Sequence, residues 1–295
     1  MTTEPPATGE EDERESPDPI RRIIVLLDAS QSSLRALDTA VELARRRRSE
    51  LHALFVVETA LLRSAGFAFA SEIGAISGAR RPLQSAPLEA SLQRRAERVR
   101  RAVERAIAGE DIPHSISVRR GAVVTEVLEL TGPDDLLVLG KVGWSAAPGR
   151  ALGSTARELA TNAFCPVLLL PLRPERQRNA VVVLVDDLAH SRNALRLAQL
   201  RAHENRRPLT IFLTPEADAE RDRERSQAVS DWLRQAGGER SRIQPLCSLD
   251  PRALKYELRA AHASELVVSR ATRPMRSAGA NGVLERVDIP VIVTD

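Results

Sequence analysis

The chain is predicted to form two tandem α/β domains, each an open five-stranded parallel sheet covered by helices, and three observations lead there. Short apolar runs alternate with amphipathic helical stretches, the alternation occurs five times, and the whole order then returns in the second half.

The first run, "RIIVLLD" at 22–28, is continuously apolar, as a strand buried on both faces must be. A helix follows, its stripe marked by Leu34, Leu37, Val41 and Ala44. "ELHALFVV" (50–57) is the second strand. Beyond a long intervening segment, a helix with Leu88, Leu92, Ala96, Val99 and Val103 on one face leads to strand "SISV" and helix "VVTEVLEL". Strand "LLVLG", helix "ARELATNA" and strand "PVLLLP" complete the unit.

From 180 to 198, "AVVVLVDDLAHSRNALRLA" overlays "RIIVLLDASQSSLRALDTA" (22–40) without a gap, placing Asp186 on Asp28, Ser191 on Ser33 and Leu195 on Leu37. "PLTIFLT", "ELVVS" and "IPVIVTD" repeat the second, fourth and fifth strands. A tandem duplication accounts for this, with domains at 21–172 and 179–295 and a polar, Pro-containing linker at 173–178. The final strands, "PVLLLP" and "PVIVTD", would otherwise leave apolar edges exposed, so the repeats are expected to pair through them as an intramolecular pseudo-dimer.

Composition narrows the function classes. At 295 residues and 43% hydrophobic, the chain can bury two cores. Cys165 and Cys247 stand far apart in no metal or redox spacing, which suits a reducing compartment. No apolar run approaches the ~20 residues that span a bilayer, and no charged-then-apolar leader opens the chain, so a soluble, cytoplasmic protein is expected. Residues 1–20 carry seven acids against Arg14 alone, with four prolines, and read as a disordered acidic tail. The remainder is basic through arginine, because Lys141 and Lys255 are the only lysines. Acids interleave with these arginines in "LQRRAERVRRAVERA", and aromatics make up only 3% of the chain. Such a pattern marks a solvated face, and neither nucleic acid nor membrane is expected as a partner.

The chemistry concentrates in "GKVGWSAAPGRALGST" (140–155), where four of the chain's 15 glycines fall. This loop follows the fourth strand, at the carboxyl end where open α/β sheets bind ligands, and it ends at a helix N-terminus, whose N–H groups and dipole attract anions. Gly140 and Gly143 would admit a ribose or phosphate close to the backbone; Gly153 and the Ser154 hydroxyl would present donors. A phosphorylated ligand is implied. Neither G-x-x-x-x-G-K-[ST] nor a G-x-G-x-x-G after the first strand is present.

The spacing Gly140-x2-Gly143-x9-Gly153-Ser154 resembles the ATP-binding pattern of the universal stress protein family, and "LLDASQSS" is similar to that family's opening strand and Asp-x-Ser turn. The resemblance is strong over 21–172 and weak over 179–295. It implies a Rossmann-like fold of the adenine-nucleotide α-hydrolase-like kind and a stress-response role. By the same resemblance, Asp28 would face the adenine amino group and Val56 would line the adenine pocket. Gly140, Gly143, Gly153, Ser154 and Thr155 would wrap ribose and triphosphate, with Mg²⁺ bridging the phosphates. The alternatives are a turn or capping carboxylate for Asp28, core packing for Val56 and a merely tight loop for the glycines.

The second repeat lacks this apparatus. Matched forward from its fourth strand, Ser269, Thr272, Gly282 and Val283 stand where Gly140, Gly143, Gly153 and Ser154 do. Matched backward from Pro290, Ser277 and Ala278 fall opposite Gly153 and Ser154. Either way the loop is degraded, and the second domain is expected to be structural or partner-binding. The first repeat also carries an insert at 59–89, with Phe67, Phe69, Ile73 and Ile76 at near-helical spacing, to pack against the other repeat or a second chain, or to hold an apolar ligand. Trp144 would cover the nucleotide or anchor the loop.

No histidine spacing suits a metal, and no Ser, His and Asp set assembles, so nothing nominates a general base. The sequence therefore favours a nucleotide-binding regulatory protein over an ATPase. A ligand-sensing or scaffold protein that uses the insert and ignores nucleotide is the alternative. Further association into a homodimer is left open.

Overall fold

The computed structural model describes residues 20–64, 71–73, 78, 80–82, 85–143, 151–172, 179–237, 241–276 and 280–295. The acidic tail expected over 1–20, apart from Ile20, and the linker at 173–178 lie outside them, as do Phe67, Phe69, Ile76 and Trp144.

The first half runs β1 (Arg22–Leu27), α1 (Gln31–Arg47), β2 (Glu50–Glu58), α2 (Thr59–Ser64), β3 (Ser71–Ile73), β4 (Arg80–Pro82), α3 (Ser85–Ala106), β5 (His114–Gly121), α4 (Val123–Leu130), β6 (Asp135–Gly140), α5 (Ser154–Asn162) and β7 (Val167–Leu170). The second half runs β8 (Ala180–Val185), α6 (Leu188–Glu204), β9 (Leu209–Leu213), α7 (Ala219–Gln235), β10 (Ser241–Pro245), α8 (Pro251–Ala260), β11 (Ala263–Ser269), α9 (Arg273–Arg276), α10 (Ala280–Arg286) and β12 (Val291–Thr294).

Ten strands form one sheet in the order β10-β9-β8-β11-β12-β7-β6-β1-β2-β5. Each half contributes five parallel strands in the same internal order, and the halves meet at β7 and β12, the one antiparallel ladder of the sheet, with Val291 opposite Leu169 and Val293 opposite Val167. The expected joining of the final strands is what the sheet shows. Pairing the two apolar edges satisfies their backbone groups and turns two five-stranded sheets into one continuous surface.

Strand alternation sends side chains to two cores. Ile23, Val25, Leu27, Val181, Val183 and Val185 face one side with the buried stripes of α1, α3, α6 and α7. On the other side, Ile24, Val182 and Leu184 pack with α4, α5, α8 and α10. Both layers run across the seam, so the halves share their hydrophobic cores rather than merely touching.

Three details depart from the sequence reading. β10, "SRIQP", is a strand that periodicity does not mark; it lies at the sheet edge, where a polar alternating segment is stable because only one flank is paired. Within the insert, Ile73 belongs to an antiparallel β3–β4 ladder opposite Arg80, so a helix does not run through it. In the last loop, the forward match fails: Val283 lies inside α10, buried among core residues, instead of at a helix start. A short extra helix, α9, takes up the chain between β11 and α10 and displaces the register.

Candidate functional site

β1 lies between β2 and β6, and the helices after β1 and β6 pack on opposite faces of the sheet, α1 on one and α5 on the other. That reversal opens a crevice at the carboxyl ends of the strands. A cavity of about 500 Å³ occupies it. All seven residues singled out from the sequence line this one cavity: Asp28, Val56, Gly140, Gly143, Gly153, Ser154 and Thr155.

Asp28 directly follows β1. Its Oδ1 accepts the N–H of Ser30 at 2.9 Å, while Ser30, not Asp28, caps α1 by accepting the Ser33 N–H at 3.1 Å. Ala29 between them has φ 64°, the left-handed conformation that swings the chain from strand into helix. One carboxylate oxygen thus holds the turn. The other, Oδ2, lies 2.9 Å from where a Cβ on residue 143 would stand. Val56, near the end of β2, both lines the cavity and packs into the core layer of α4 and α5.

The glycines differ in what requires them. A Cβ at Gly140 would collide with the Ser32 side chain, so glycine there lets α1 sit close to β6. At Gly143 the neighbour is the Asp28 carboxylate. Gly153 is extended (φ −77°, ψ 156°), and a Cβ there would meet nothing nearer than Lys141 O at 3.5 Å. The fold does not need glycine at 153. A ligand approaching the helix start would.

Gly153 is the N-cap of α5, makes no side-chain capping bond, and donates its own N–H to Lys141 O at 2.7 Å. No acidic residue stands in the first turn of α5, and Ser154, Thr155 and Ala156 face the cavity. Helix-start N–H groups thus meet a cavity with no capping side chain among the described residues, which is the electrostatic requirement for an anion. Sequence reading missed Arg95 of α3 and Glu58, which also line the cavity. Burial lowers the pKa of Arg95, and the Asp28 charge counters that effect. The spacing Leu92, Arg95, Val99 sets this arginine on an otherwise apolar stripe, which is a readable signal.

The corresponding place in the second half carries arginines bonded to the strand ends. By strand register Leu27 pairs with Phe55 and Val185 with Leu213, so Thr214 is the counterpart of Val56 as Asp186 is of Asp28. Arg225 of α7 donates to Thr214 Oγ1 at 3.2 Å, Thr214 O at 2.7 Å and Asp186 O at 3.1 Å. The Arg273 N–H donates to Asp186 Oδ2 at 2.6 Å, and its guanidinium to Thr214 Oγ1 at 3.1 Å. Two arginines thus bond to the strand ends that correspond to those of the first-half cavity.

A model of the universal stress protein family matches residues 19–171. The universal stress protein Rv3134c of Mycobacterium tuberculosis (strain ATCC 25618 / H37Rv) is 30% identical over 190 residues, which are 63% of this chain and 63% of that one; the chain thus spans under two thirds of the relative's length. Among solved structures, a universal stress protein from Archaeoglobus fulgidus DSM 4304 aligns with a TM-score of 0.69 at 16% identity, covering 94% of this chain and 96% of the other. A functionally unknown protein, PA1789 from Pseudomonas aeruginosa PAO1, aligns at 0.59, also at 16% identity, covering 94% and 93%. Matched over more than half its length by the family model, the chain belongs to the universal stress protein family.

Proposed function

We propose that this is an ATP-binding regulatory protein of the stress response that holds one nucleotide, in its first half. The observation that carries this reading is the N-terminus of α5, without a capping side chain among the described residues, at a cavity that Asp28, Val56 and Gly143 also line. Adenine would lie by Asp28 and Val56. Ribose and triphosphate would lie along Gly140, Gly143, Gly153, Ser154 and Thr155, with Mg²⁺ carried on the phosphates near the two hydroxyls. Family membership supports the same assignment.

The arginines bonded to Asp186 and Thr214 in the second half support a single nucleotide per chain. Residues 21–172 would then be the ligand-binding domain and 179–295 a structural or partner-binding one, joined by a linker at 173–178 and preceded by an acidic tail. Occupancy would set conformation or partner choice in the cytoplasm, rather than feed hydrolysis. Calorimetric titration with Mg-ATP, alongside mass spectrometry of ligand released from freshly purified protein, tests this. One site per chain and a bound adenine nucleotide are expected. An apolar ligand with no ATP binding would overturn the reading.

A further inference from the structure

Lys141 is one of two lysines in the chain and follows the last residue of β6, two positions before Gly143. Its side chain is 2% exposed and points away from the cavity, across the seam between the halves. There Nζ donates to the backbone oxygen of Val287, in the connection between α10 and β12, at 2.5 Å. Meanwhile its backbone N–H donates to Leu170 O at 2.8 Å and its carbonyl accepts the Gly153 N–H at 2.7 Å. One residue therefore touches the final strand of its own half, the start of the anion-facing helix, and the second half.

The arrangement is reciprocal. Arg270 follows β11 as Lys141 follows β6, and its N–H donates to Thr294 O at 2.7 Å as that of Lys141 does to Leu170 O. Its guanidinium crosses the seam the other way, donating to Ala160 O at 2.9 Å and Cys165 O at 2.6 Å, at the C-terminal end of α5. Arg157 of α5 also pairs with Glu285 of α10 at 2.6 Å. Helix α5 is thus held at its C-terminal end by a cation of the second half, which also satisfies the Ala160 carbonyl of its last turn, and at its N-terminal end by Lys141. Burying an ammonium this deeply costs free energy that a solvent-facing residue would avoid, so a polar tether here is an expensive choice for packing alone.

We propose that Lys141 is the positioning residue through which the second half sets the geometry of the nucleotide loop, and through which occupancy of the loop is transmitted to the α10–β12 connection. This rests on the first-half nucleotide site proposed above. The second half, on this view, contributes to a site it does not line. A ligand that draws the Gly143 and Gly153 backbone together acts on Lys141 from both sides, and the Nζ–Val287 bond carries the displacement over the seam.

Hydrogen–deuterium exchange on the full chain, with and without Mg-ATP, tests the proposal. In the parent, ATP should slow exchange both at the start of α5 and over 285–292. Lys141→Met should weaken ATP about tenfold, keep the protection at α5 and lose it over 285–292; Lys141→Arg should restore it, because Arg270 makes the equivalent crossing. Protection confined to α5 in the parent, or protection of 285–292 that persists in Lys141→Met, would overturn the transmission role while leaving the nucleotide site standing. Absence of calorimetric ATP binding to the parent would overturn both. The exchange pattern of the parent decides the matter even if Lys141→Met does not fold.

Discussion

The Asp28 carboxylate stands 2.9 Å from the point that a Cβ on residue 143 would occupy, so the turn after β1 and the glycine loop after β6 share one small space. Residues 115 apart in sequence constrain each other there. Gly143→Ala should push the carboxylate aside at little cost to the fold, because the atom displaced is a side-chain end. Stability should change by about 0.5 kcal/mol or less, while ATP affinity falls about tenfold. Asp28→Ala should weaken ATP by itself, and adding Gly143→Ala to it should bring no further loss. Additive losses in this double-mutant cycle, read by calorimetry, would show that the two positions act separately.

Gly153→Val separates ligand from fold. The backbone at 153 is already extended and a Cβ there has room, so the variant should fold with an unchanged circular dichroism spectrum. Exchanging glycine for valine at an N-cap should cost about 1 kcal/mol. ATP binding, one site in the parent, should vanish because a branched side chain stands where phosphate must approach. Retained binding would mean that the loop glycines serve only the turn.

Arg225 should matter for stability and not for nucleotide stoichiometry. Its removal leaves Thr214 O and Asp186 O without their donor at a buried edge. Arg225→Ala should therefore lose about 2 kcal/mol in urea denaturation, with one ATP still bound per chain. A second site appearing in that variant would show that the arginine had been closing a competent pocket.

Lys141 should give the protein a pH dependence. Burial lowers its ammonium from the ordinary 10.5 to about 7, against the raising effect of Asp288, whose own carboxylate pairs with Lys255. Between about pH 7 and 10.5 the unfolded chain binds the extra proton. Stability contributed by this group is complete above 10.5 and is lost as pH falls to 7, at a slope approaching 1.4 kcal/mol per unit. Urea midpoints from pH 7 to 9.5 should show that rise in the parent and a flatter line in Lys141→Met; parallel curves would refute it.

Much of this molecule was legible as sequence because its determinants are local. Continuous apolar runs became buried strands, the 22–40 and 180–198 overlay became two halves with one strand order, and the seven residues singled out by the glycine spacing and the family resemblance line one cavity. β10 escaped because an edge strand is paired on one flank and needs no apolar run. The last loop escaped because α9 inserts a turn that shifts register without any compositional mark.

What the sequence by itself determined is the fold of each half, the edge each half had to cover, and the glycines that border the cavity, since periodicity, burial and glycine placement act over a few residues at a time. Only the tertiary structure decided that Arg225 and Arg273 bond to Thr214 and Asp186 in the second half, that Arg95 and Asp28 line one cavity in the first, and that Lys141 reaches Val287 while Arg270 reaches Cys165. Those contacts join residues as much as 146 positions apart. A long cationic side chain carries no periodic signature of its target, because what it bonds to is a backbone oxygen brought near by the packing of two sheets.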